Sequence, residues 1–207
     1  MAEPAAWLPL FPLNTVLFPG GILSLRVFET RYIDMVRDCM KRAVPFGVAL
    51  IKSGREVGAA AEPEAVGCLA HIIDWDMEAG ILLLRTQGGD RFRILDTQEL
   101  PDHRVEARIA LLAVKAAIPV TDIHIDCAKA LRNVTDNILA QGRAQQGNAF
   151  ESPFAMPLQL DNADWVANRW CELLPIPLKA RQKLLELDDA QSRLALVHQF
   201  LRQHELL

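Results

Sequence analysis

"LPLFPLNTVLFPGG", Leu8 to Gly21, places three prolines and two phenylalanines in fourteen positions. An apolar stretch so interrupted is a membrane anchor, a secretory leader or a folded strand pair. A leader needs a basic start and an unbroken apolar run. Here Glu3 is the first charge, and Pro9, Pro12 and Pro19 cut the run around Asn14. No stretch approaches the ~20 apolar residues that span a bilayer. The chain therefore reads as soluble and cytoplasmic, and the stretch as strands. Proline is tolerated at strand edges and starts. "LPLFPL" is thus expected to be an extended edge strand, and "FPGG" a turn that returns the chain into "ILSLRVF" (22–28). In that strand Ile22, Ser24, Arg26 and Phe28 alternate with Leu23, Leu25 and Val27.

The same grammar continues to about residue 118. "FGVALIKS" (46–53), "VGCLAHIIDW" (66–75), "GILLLRT" (80–86), "DRFRILD" (90–96) and "HRVEARIALLAV" (103–114) are short, bounded apolar runs of strand character. "QGGD" (87–90) reads as a turn between two of them. One helix interrupts the strands, with Tyr32, Met35, Val36, Cys39 and Met40 at helical spacing and Thr30 as the expected N-cap. Beyond residue 118 only Gly142 and Gly147 of the eleven glycines remain, and the pattern turns helical. Ile123, Cys127, Leu131, Val134 and Ile138 form one stripe, with Gly142 as its expected stop. Residues 143–160 read as a loop or broken segment. Ala163, Val166, Trp170 and Leu173 form another stripe, Pro177 opens a third helix, and Asp188 with Gln191 begins a fourth in capping-box fashion. The expected organisation is α+β: a β-rich part, 1–118, and a helical bundle, 119–207.

The formal net charge is −4, shared between the two parts, so neither a nucleic-acid face nor an acidic tail stands out. Cys39, Cys68, Cys127 and Cys171 form no Cys-x-x-Cys pair and read as buried free thiols. There is no phosphate loop, no Gly-x-Gly-x-x-Gly and no Gly-x-Ser-x-Gly elbow. Lys52 and Ser53 are strand neighbours that point to opposite faces, which excludes a nucleophile–base pair between them. His124 and Cys127 share a helix face, but two ligands do not make a zinc site. Asp74, Asp76 and Glu78 read as a solvated strand face rather than a cation site. Arg91 and Arg93 flank Phe92 without a second stacking aromatic, which favours structural use over RNA contact. Trp170 belongs to the core, whereas Trp75 and Met77 share a face near a strand end, where they are candidates for exposure.

Several motifs together resemble a known family. "LPLFPLNTVLFPGGILSLRVFETRYIDMV", "VGCLAHI" (66–72), "GDRFRIL" (89–95) and "LLPIPLKARQKLLELDDAQSRLALVHQFL" are similar to the N-terminal, substrate-binding domain of Lon (ATP-dependent protease La). The resemblance spans nearly the whole chain and implies a twisted β pseudo-barrel, related to PUA-like barrels, followed by a helical bundle. It does not bring the family's ATPase and Ser–Lys peptidase modules, so no enzymatic activity, cofactor or metal is expected. It implies recognition of unfolded or tagged polypeptides, with a full-length protease and a second copy of the chain as further partners. Membrane and nucleic acid are not expected partners.

Such recognition requires an exposed apolar patch or an open sheet edge. The expected polypeptide contacts are Phe18, Pro19, Gly20 and Gly21 of the first turn, with Phe18 projecting, together with Trp75 and Met77. Glu29 and Arg31 are expected to be structural, with a carboxylate serving the free helix N–H groups. The alternatives are a small-ligand or nucleic-acid binder using Arg91, Arg93 and Arg104, and an enzyme of unrecognised chemistry.

Overall fold

A run of short, alternating strands can bury its apolar face only by pairing into a sheet and covering it, and the first part of this chain does both. The structure, a computed structural model, describes residues 7–112 and 117–207. It divides into two compact units, Met1–Val114 and Lys115–Leu207.

In the first unit seven strands form one sheet: β1 (Leu8–Leu13), β2 (Ile22–Val27), β3 (Phe46–Ser53), β4 (Glu62–Pro63), β5 (Val66–Glu78), β6 (Ile81–Glu99) and β7 (Val105–Leu111). The order is β1-β7-β6-β5-β3-β4, with β2 on β6. A parallel pairing of β1 with β3 brings the series of pairings back to its first strand. β1 is therefore not a simple edge strand. Leu8–Leu10 lie beside β7 and Leu10–Leu13 beside β3. Pro9 and Pro12 each have one neighbouring strand, which is the local condition of an edge and the reason two prolines are tolerated.

The Gly-Gly turn expected at 87–90 does not form, because β6 runs unbroken through it. Gly88 and Gly89 serve close approach instead. A Cβ on Gly88 would lie 2.1 Å from the Phe18 carbonyl oxygen, and one on Gly89 would lie 2.4 Å from Nε2 of His71.

Helix α1 (Thr30–Arg42) buries Tyr32, Met35, Val36 and Cys39 against Phe11, Phe46, Leu82 and Leu84. Phe11 stacks on Tyr32 with ring centroids 4.1 Å apart. The N-cap is Glu29, not Thr30, and its side chain does not bond the helix N–H groups. Its carboxylate pairs with Arg31 at 3.0 Å, and Arg31 donates to the His103 carbonyl at 2.8 Å. A second cluster gathers Leu10, Leu69, Phe92, Val105 and Ala107.

The second unit contains α2 (Ile125–Gln146), α3 (Ala163–Leu173), α4 (Leu178–Glu186) and α5 (Ala190–Gln203). The buried stripe of α2 is Cys127, Leu131, Thr135 and Leu139, so its later half lies one residue beyond Val134 and Ile138, and Ile123 precedes the helix and is exposed. Gly142 does not end α2. The Phe150 ring occupies the space of its missing side chain, 2.0 Å from a would-be Cβ, and the helix stops at Gly147 with φ 57°. Residues 150–162 form no long helix or strand, and α3 follows with Asn162 accepting from the Asp164 N–H. α5 is capped by Asp189, which accepts from the Ser192 N–H, one residue later than expected. All four cysteines are free and buried.

Candidate functional site

The first turn does not present its aromatic ring as expected. Phe18 is fully buried and does not project. The turn is held against β6 by Gly20 N–H to the Gly88 carbonyl at 2.7 Å and Gly88 N–H to the Gly21 carbonyl at 2.8 Å. Gly21 is buried, Pro19 and Gly20 are half-buried, and Gly20 takes φ 73°, which a side chain would resist. An apolar ring at the apex of a turn is driven inward when the sheet passes beneath it. The turn therefore works as a fixed corner.

The other predicted pair behaves differently. Trp75 is 55% exposed and Met77 38%, and Ile73 beside them is 47% exposed. Sheet register explains how large apolar groups come to sit in water. Trp75 lies opposite Leu84 and Met77 opposite Leu82, and those leucines lie opposite Leu25 and Val27 of β2. This face is the core face of the three strands. Leu82 and Leu84 are covered by the core, whereas Trp75 and Met77 continue the row past that cover.

The strand edge is open over the same residues. β3 accompanies β5 only at Cys68–Ala70, opposite Phe46–Val48. From His71 to Glu78, β5 has β6 on one side and, among the described residues, no strand on the other. A bulge between Ile72 and Asp74 marks the departure. Bulges bend a strand and re-aim its side chains, and here Ile72 packs on the core while Ile73 stays in water. A cavity of about 480 Å³ opens where the edge begins, between Met40, Ala43 and Val44 at the end of α1 and Ile72, Ile73 and Trp75 of β5.

The edge has its own protection. The N–H of Trp75 is held by Oδ1 of Asp74 at 2.9 Å, and that of Met77 by Oδ1 of Asp76 at 2.7 Å. Acidic groups that blunt an edge are a common defence against unwanted strand pairing. Asp74, Asp76 and Glu78 are exposed, as expected of a solvated face. Among the described residues no group of three His, Cys, Asp or Glu is placed to hold a metal ion. Sequence reading singled out Trp75 and Met77 and missed Ile73 and the two aspartate caps. The alternation "IDWDME" (73–78), apolar on one side and acidic on the other, is the signal for both.

Other candidates resolve into structure. Phe92, between Arg91 and Arg93, is fully buried, and Arg104 is bound by Asp102 at 2.7 Å, so no stacking platform stands between basic groups. Lys52 and Ser53 do not point to opposite faces as expected: at the irregular end of β3 both donate to Glu62 of β4, at 2.5 and 2.8 Å. This holds the Glu62 carboxyl below the usual range, through its hydrogen bonds to Lys52 and Ser53 and the Lys52 charge. His124 sits edge-on to His198, ring centroids 5.3 Å apart, and Cys127 is a buried free thiol. The helical unit carries an apolar groove of about 620 Å³ lined by Leu174, Ile176, Leu184, Leu187, Leu196 and Phe200. Among the described residues no helix is long and apolar enough to cross a membrane.

A strand-rich unit followed in the chain by a helical unit, with an exposed apolar strand in the first, defines an α+β protein. Residues 7–203 match the model of the ATP-dependent protease La (LON) substrate-binding domain, and the chain belongs to that family. It is 29% identical to the Lon protease of Anaeromyxobacter dehalogenans (strain 2CP-C), over 98% of this chain and 24% of that one. It is also 29% identical to Lon protease 2 of Myxococcus xanthus, over 97% and 24%. The chain thus spans about a quarter of the length of these relatives. Among solved structures it resembles a Lon N-terminal domain protein from Xanthomonas campestris, with 33% identity, TM-score 0.72 and coverage of 93% of this chain and 96% of that one. The N-terminal domain of Mycobacterium avium complex Lon protease shares the fold at 16% identity, with TM-score 0.65 and coverage of 96% and 100%.

Proposed function

We propose that this chain is a noncatalytic polypeptide-recognition module, an adaptor or regulator of ATP-dependent proteolysis, and that extended segments of its substrates bind along β5. The observation that carries the reading is the coincidence of an open sheet edge with the exposed Ile73, Trp75 and Met77. An edge offers main-chain hydrogen bonds, which every unfolded chain can make whatever its sequence, and the adjoining apolar groups reward side chains that a folded protein hides. The family's substrate-binding description supports the same reading. In this reading the ring of pairings through β1 and β3 is a twisted pseudo-barrel that holds β5 rigid while its far end stays free. Weak, broad recognition corresponds to a Kd in the micromolar range, about −8 kcal/mol.

The test is an anisotropy titration with a labelled, permanently unfolded polypeptide and the same chain folded as control. Saturable binding to the unfolded form alone is expected. Trp75→Ala should weaken it by about tenfold, the effect of losing a central aromatic anchor, with the unfolding midpoint little changed because the side chain is largely in water. Equal binding of the folded control, or an unaffected Trp75→Ala, would overturn the assignment to β5.

A further inference from the structure

We infer that the β5 edge selects segments in which apolar residues alternate with lysine or arginine. This rests on the polypeptide-binding reading above and adds to it the chemical class of the segment.

The two faces of β5 beyond the bulge differ in kind. Trp75 and Met77 point to one face, and Asp74, Asp76 and Glu78 to the other. A strand added at this edge alternates in the same way, so every second residue lies beside the apolar groups and the residues between lie beside carboxylates. Asp74 already faces Arg85 across the sheet, but Asp76 faces Leu83 and Glu78 faces Ile81. The sheet thus places no cation directly opposite the last two.

The hydrogen bonds of the edge strengthen the preference. An incoming strand takes the N–H groups of Trp75 and Met77 from Asp74 and Asp76. The displaced Asp76 carboxylate, which has no cation directly opposite it in the sheet, then gains from a new partner. A lysine or arginine at the matching position lies about 5 Å away, the ordinary cross-strand spacing, and supplies it. A glutamate there sets like charges side by side, and a serine leaves the carboxylate to water. The capped edge is closed to acidic strands and opened by basic ones. The span from Ile72 to Glu78 accommodates about seven residues, and an apolar side chain at one end of the segment lies over the cavity beside Val44.

Three labelled peptides of about seven residues test this on the intact chain, alternating Val and Phe with Lys, with Ser or with Glu. The Lys peptide should bind about tenfold more tightly than the Glu peptide, the gain expected of two exposed pairs. Asp76→Asn with Glu78→Gln should abolish that ratio, since a neutral amide neither attracts lysine nor repels glutamate. Asp76→Lys with Glu78→Lys should invert it. Equal binding of the Lys and Glu peptides, or a ratio that survives both double variants, overturns the inference. If that happens while the unfolded polypeptide still binds, only the charge selection falls. If the unfolded polypeptide does not bind either, the recognition module falls with it.

Discussion

Phe18 and Gly88 meet where the first turn crosses β6, and neither has room to change. Phe18→Ala removes a fully buried ring and should cost about 3–5 kcal/mol in urea unfolding. Gly88→Ala should be comparably damaging, because the new methyl would lie 2.1 Å from a backbone oxygen that the turn cannot withdraw. A loss below about 1 kcal/mol in either would mean that the turn is free to move. These two residues also show what the sequence hides. "FPGG" is legible as a turn from its proline and glycines, but whether its aromatic ring points in or out depends on the strand beneath, which lies some 70 positions later in the chain. The glycines at 88 and 89 read as a turn for the same reason, because a glycine needed for close approach looks like one needed for bending. Trp75 is legible as an exposure candidate because it shares a face with Met77 near a strand end. Its hydrogen-bonded aspartate caps are not, since they depend on an edge that only the pairing of β3 defines.

Helix α3 is buried nearly all round rather than along one stripe. Trp170 donates to the Cys127 carbonyl of α2 at 3.0 Å. Arg193 of α5 is 1% exposed and bonds Asp164 and Asn168 of α3 at 2.5 and 3.1 Å. It also donates to the carbonyls of Leu184 and Leu187, at the end of α4 and just beyond it. Arg193→Ala should destabilise the protein by about 2–3 kcal/mol in urea unfolding, since it removes a buried side chain and takes one donor each from the Leu184 and Leu187 carbonyls, Asn168 and the partly exposed Asp164. The amphipathic spacing of α5 was legible in the sequence, but a charged residue serving as the hub of three helices was not. The same burial gives a pH dependence. It pushes the Cys171 thiol up to about 12 and the Cys127 thiol up to about 11. A group whose pKa is raised by folding stabilises fully below its unfolded value, near 9, and that contribution is lost as pH rises toward the folded value. Urea midpoints should therefore fall from pH 9 upward. Cys171→Ala should flatten the fall, and an unchanged slope would count against burial of the thiol in solution.

For the whole molecule, two apolar surfaces compete as polypeptide sites, one in each unit. The groove in the helical unit is the more apolar in character, with leucines, Ile176 and Phe200 around it, but its walls are α4, α5 and the short turns beside them, none of which is a strand. It can accept side chains and offers little to an extended backbone. The β5 edge offers both, which is why it is preferred. Amide hydrogen exchange with and without a saturating unfolded polypeptide separates the two most directly. Added protection is expected over Ile72–Glu78, centred on the amides of Trp75 and Met77, with α4 and α5 unchanged. Protection of α4 and α5 with an unchanged β5 edge would contradict it and move polypeptide recognition to the helical unit.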